Sequence, residues 1–115
     1  MTIPSAASSN IGDWITVFYT TAINNSANHT YTTTTDTAYA LGSTITRIGG
    51  AVTSAVDVSV ALDNILTLAG DTNGDCGMGT TVKLVNTTGT LNGWAVEAMI
   101  LNQGTGAEAL GSAFS

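Results

Sequence analysis

The one segment whose residue types and spacing match a ligand motif is Asp71-Thr72-Asn73-Gly74-Asp75-Cys76-Gly77. Asp71, Asn73 and Asp75 alternate as do the first oxygen ligands of an EF-hand calcium loop. The match then breaks. Cys76 stands where that loop needs glycine for its sharp turn, and Val82 where it needs the bidentate glutamate. The three residues form a metal candidate without its strongest ligand, and the segment reads as a glycine-rich turn. His29 is the sole histidine and falls in a polar stretch, Asn24 to His29. Without Cys or acidic neighbours at ligand spacing, it is expected on a surface loop rather than as a ligand or base. Cys76, the only cysteine, has no second Cys or His in sequence with which to form a redox or nucleophilic pair. It is expected as a free thiol, which its glycine neighbours could leave exposed but do not activate, with an intermolecular bridge as the alternative.

Glu97 and Glu108 would have to be brought together by the fold to act as a carboxylate pair. No catalytic residue and no cofactor is implied, and the chain is expected not to be an enzyme. Asn24-Asn25-Ser26, Asn28-His29-Thr30 and Asn86-Thr87-Thr88 fit the glycosylation acceptor pattern, which an Asn- and Thr-rich chain produces by chance. Trp14 and Trp94 are expected as core anchors, one per sheet; a sugar-stacking tryptophan is the alternative.

Strands must position these residues. About one residue in five is Thr, a β-branched type suited to half-exposed sheet faces. Trp14 to Thr20 is aromatic and β-branched throughout and predicts a strand, as does Ser43 to Ile48. Thr30 to Thr35 predicts another, solvent-facing or at an edge. Val56, Val58, Val60 and Leu62 alternate with Asp57, Ser59 and Ala61, which predicts a strand with the first set buried. Asp63-Asn64 then suggests a tight hairpin into Ile65 to Leu68. Thr80 to Val85 and Trp94 to Leu101 complete the set, the latter as a central strand burying Trp94, Val96, Ala98 and Ile100. About seven short strands without crossover helices predict a single all-β domain over 1–115, a β-sandwich of Ig-like or jelly-roll-like type.

Composition says more about assembly than about chemistry. Only ten of 115 residues are charged, two of them basic, for a formal charge of −6. An ordinary domain carries about 25% charged residues; this chain has 9%, with 43% hydrophobic residues. Arg47 and Lys83 alone cannot displace the counterions of a nucleic acid, so that partner is excluded. Trp14 to Thr35 is uncharged, but its threonines and asparagines exclude a membrane span. With Met1 as the natural start, no secretory signal is read, and synthesis in the cytosol is expected. Segments as small as Ala6-Ala7-Ser8-Ser9 and Gly111-Ser112-Ala113 fray unless tied down. The ends, 1–12 and 103–115, are therefore expected as extended arms that dock on neighbouring subunits. Thr2, Ile3, Pro4, Ile11, Leu110 and Phe114 are the candidate assembly contacts.

In this overall character the chain resembles the small capsid-decoration, or cement, proteins of tailed bacteriophages: short, without an export signal, rich in Thr, Ala and Gly, one compact β domain with extended ends. The resemblance implies a virion protein made in the host cytoplasm. It would bind the outside of a capsid shell at symmetry axes, bridging the major capsid protein. A homo-oligomer, with a trimer favoured, goes with that reading. An extracellular fibre or pilin-like subunit is the alternative, and a carbohydrate-binding β-sandwich a third.

Overall fold

Alternating residues with one apolar set per strand can bury that set only against a second sheet, and the chain folds accordingly. The computed structural model describes residues 1–21, 28–33, 39, 43–48, 55–58, 63–68 and 76–101. Its strands are β1 (Thr2–Ile3), β2 (Trp14–Phe18), β3 (His29–Thr33), β4 (Thr44–Ile48), β5 (Ala55–Val58), β6 (Ile65–Leu68), β7 (Thr81–Asn86) and β8 (Trp94–Leu101), with a single 3-10 turn at Ala6–Ser8. They form a β-sandwich of a three-stranded sheet, β1-β3-β6, and a five-stranded sheet, β2-β7-β8-β4-β5. No helix among the described residues is long and apolar enough to cross a membrane.

The core lies between the sheets. Ile3, Tyr31, Leu66 and Leu68 enter it from the smaller sheet. Ile45, Val82, Leu84, Trp94, Val96, Ala98 and Ile100 enter from the larger. The predicted inward set of β8 is thus buried in full, and β8 lies between β7 and β4 as expected of a central strand. Buried polar groups are bonded: Ser43 Oγ accepts from the Val96 amide at 2.9 Å, and Thr80 Oγ1 from the Leu101 amide at 3.0 Å.

Two expectations change. The Asp63-Asn64 hairpin does not form, because β5 pairs with β4 in one sheet and β6 with β3 in the other. β3 is no edge: β1 flanks it on one side and β6 on the other, and Tyr31 and Thr33 are buried. Both sheets are mixed, with β1–β3 and β4–β8 parallel, although no crossover helix is described. In β5, Asp57 stands opposite Ile45, and Val56 and Val58 opposite Thr46 and Thr44. The side chains of β5, together with Val60 and Leu62, lie outside the described residues.

The N-terminal segment is not a free arm either. β1 pairs with β3, and the Thr32 amide donates to the Met1 carbonyl at 3.1 Å. Ile3 and Ala6 are fully buried, so the Ile3 side chain, expected as an assembly contact, packs in the chain's own core. Thr2, Pro4 and Ile11 are exposed. Leu110 and Phe114, with the whole 103–115 arm, lie outside the described residues, as do Asp71, Asn73, Asp75 and Glu108.

Candidate interaction surface

Ile15 and Val17 pack against the core, so strand alternation turns Trp14, Thr16 and Phe18 to the outer face of the five-stranded sheet. Trp14 is 66% exposed and Phe18 59%, which corrects the expectation that Trp14 anchors the core. Trp94 alone does so, 1% exposed, with Nε1 donating to the Pro4 carbonyl at 2.8 Å.

Strand register arranges this outer face in rows. Trp14 stands beside Val85 and Ala95; Thr16 beside Lys83, Glu97 and Thr44; Phe18 beside Thr81, Met99 and Thr46. Met99 and Ile48 are also exposed. A stripe of two threonines with one lysine and one glutamate thus runs between an apolar row, Trp14-Val85-Ala95, and a mixed row in which Phe18 and Met99 alternate with Thr81 and Thr46. Opposite charges directly across an antiparallel pair, as in Lys83 and Glu97, are mutually favourable. Trp14 lines two shallow hollows. One is shared with Gly12, Thr16, Lys83 and Val85, the other with Pro4, Ser9, Asp13, Ile15 and Trp94.

A second polar group sits between the sheets. The hydroxyls of Tyr19 and Tyr31 are 2.6 Å apart, and Tyr19 Oη lies 3.2 Å from His29 Nδ1. Tyr39 Oη donates to the Tyr31 carbonyl at 2.7 Å. His29 therefore begins strand β3 rather than lying on a loop, although it is exposed as expected. Desolvation pushes the titration of Tyr19, Tyr31 and Tyr39 above the usual phenol range. In Tyr19 the bond to Tyr31 adds to it, whereas in Tyr31 the same bond opposes it. Cys76 is a free thiol, as expected, but buried, and desolvation raises its titration against an opposing hydrogen bond with Thr80. A raised thiol carries little thiolate, the form that attacks electrophiles and binds metals. These groups knit the interior. Among the described residues no three His, Cys, Asp or Glu side chains cluster to hold a metal ion.

Asn86 is the residue that sequence reasoning assigned least well. Its side chain is buried, donating from Nδ2 to the Ala6 carbonyl and to Ser9 Oγ, both at 2.8 Å. Its Oδ1 accepts the Gly89 amide at 2.8 Å and the Thr88 amide at 3.3 Å. The acceptor sequence Asn86-Thr87-Thr88 is accordingly a structural bolt in the folded chain, its amide already engaged. The only sequence signal for this was an Asn opening a turn that ends in Gly93. That glycine is required: a Cβ there would lie 2.3 Å from Thr88 Oγ1 and 2.9 Å from the Thr90 carbonyl oxygen.

Compared with known proteins, the chain matches no family model, no curated protein and no solved structure.

Proposed function

We propose that the protein is a non-enzymatic structural subunit of a virion, a decoration protein that binds the outside of a phage capsid shell and stabilises it. Its partners are the major capsid protein and copies of itself. The observation that carries the reading is the outer face of the five-stranded sheet, where Trp14, Phe18, Met99 and Ile48 are exposed around a stripe of threonines. A face that groups several large exposed apolar side chains among few charges suits protein contact. The same chain carries too few charges to recruit partners by long-range steering. Attachment then rests on apolar burial, which salt does not screen. The test is density-gradient purification of virus particles from the native source, followed by a wash in about half-molar salt, where the Debye length is only a few Å. The protein should remain on the particles, and particles stripped of it should rupture at lower temperature. Its absence from the particles, or its release by the wash, overturns the reading.

Trp14 favours a second reading, a carbohydrate-binding face. An indole exposed between two hollows, with Thr16 and Lys83 beside it, offers a stacking plane and polar groups to a sugar ring. Glycan binding that is lost in Trp14→Ala, by a protein absent from particles, would establish it in place of the first.

A further inference from the structure

We infer that the protein pairs with a second copy of itself through strand β2, edge to edge across a two-fold axis. The proposal rests on the self-association in the reading above but gives it a specific contact. β2 is the terminal strand of the five-stranded sheet, with β7 as its one neighbour among the described residues. Asp13 accepts the Asn86 amide at 2.8 Å and Tyr19 donates to the Thr80 carbonyl at 2.9 Å, so the odd-numbered residues turn their backbone groups toward β7. By the alternation of an antiparallel ladder, Trp14, Thr16 and Phe18 turn their N–H and C=O groups to the open edge.

Natural edge strands are blunted with charged residues, proline or a bulge. β2 pairs residue for residue with β7 from Trp14 to Phe18, and it contains no charge and no proline. What it contains is a palindrome of residue type. Trp-Ile-Thr-Val-Phe reads aromatic, β-branched, threonine, β-branched, aromatic in either direction. Antiparallel pairing centred on Thr16 sets Thr16 against its own copy, Trp14 against the copy's Phe18, and Ile15 against its Val17. All three outward-turned residues then fall in hydrogen-bonded pairs, each exchanging two backbone bonds. Aromatic pairs and β-branched pairs are the favourable cross-strand combinations, and a two-fold axis demands such self-complementarity. Any charge at Thr16 would meet itself at the axis; the chain, at −6 overall, has none on this strand. The product is one continuous sheet of two copies. A two-fold contact makes a dimer, in place of the trimer that goes with the decoration-protein resemblance.

The experiment is sedimentation equilibrium of the full-length protein, with Thr16→Glu as the discriminating variant. In the variant's own sheet the new carboxylate stands beside Lys83, an opposite-charge pair that the fold tolerates. Across the axis it meets its copy. The wild type should sediment at twice 11.6 kDa at high micromolar concentration. Thr16→Glu should raise the dissociation constant at least tenfold while its melting curve stays that of a folded protein. Should the variant fail to fold, Thr16→Cys serves instead. A short bismaleimide should capture it as dimer, but not Met99→Cys, which the pairing would hold more than about 20 Å from its copy at about 4.8 Å per strand. A monomeric wild type, an open-ended polymer, a dimer untouched by Thr16→Glu, or equal capture of both cysteine variants overturns the inference. None of these results touches the particle-binding test, so the two can fail separately.

Discussion

Replacing Asn86 by alanine is the perturbation that most directly tests how the N-terminal segment is held. The amide joins the 3-10 turn at Ala6–Ser8 to the β7–β8 hairpin through four hydrogen bonds, two to each side. A bond of this kind is worth about 1 kcal/mol net, and a buried group left without a partner costs about 1–3 kcal/mol. The Ala6 carbonyl keeps a longer bond from the Ser9 amide at 3.3 Å, which softens the loss on that side. The Gly89 amide, bonded at 2.8 Å before truncation, is the group most exposed to the full penalty. The expected cost is about 3 kcal/mol. In urea, with a slope near 1.5 kcal/mol per molar, the unfolding midpoint should fall by about 2 M. Trp94 is a natural probe because its indole donates to the Pro4 carbonyl on the same segment. Asn86→Asp sharpens the test. It keeps the Oδ1 acceptor but turns the two donors into an acceptor facing the Ala6 carbonyl, so its deficit should shrink as pH falls and the carboxyl protonates. A midpoint shift below about 0.5 M for Asn86→Ala, or a pH-independent deficit for Asn86→Asp, would refute the bolt.

Trp94→Ala should cost about 3–5 kcal/mol and Trp14→Ala less than about 0.5 kcal/mol, measured by urea unfolding; equal costs would mean that Trp14 is core after all. Burial raises the titration of Tyr19, Tyr31, Tyr39 and Cys76 above their unfolded values. Their contribution is therefore intact below the unfolded values, near pH 9 for the thiol and 10 for the phenols, and is lost as pH rises beyond them. Urea midpoints measured across that range should decline, and Tyr39→Phe should flatten the decline. Cys76 should resist a thiol-specific reagent in the native protein and react fully in urea; fast native labelling would place it at the surface.

β8 was legible because Trp94, Val96, Ala98 and Ile100 form one apolar row interrupted by Glu97. β2 was legible as a strand but not by face, since each of its two rows carries large apolar side chains, Trp14 and Phe18 on one and Ile15 and Val17 on the other. Only the neighbouring strand decides which set turns inward. Thr30 to Thr33 misled for a related reason: threonine suits an exposed row and, once bonded, a buried one such as Thr33. Asp63-Asn64 is a genuine turn signal, yet local chemistry cannot say whether the next strand joins the same sheet or crosses to the other. Ala6-Ala7-Ser8-Ser9 looked loose because the residue that secures it, Asn86, is distant in sequence. Strict alternation groups Trp14 with Thr16 and Phe18, but only the fold shows that this row turns outward.

The position of β8 sets the order in which the molecule can be completed. This strand is the last described and yet lies inside the larger sheet, between β7 and β4. During synthesis β4 must wait for its partner on that side, and at about 5–20 residues per second the interval from Ile48 to Leu101 is roughly 3–10 s. During it the nascent chain offers an open flank on β4 and, until β7 is made, both flanks of the uncharged strand β2. Both are templates for stray pairing between neighbouring chains on one message. Crowded translation should thus be the moment of greatest hazard for this protein, and slower initiation should raise the yield of soluble material more than any change to the finished fold.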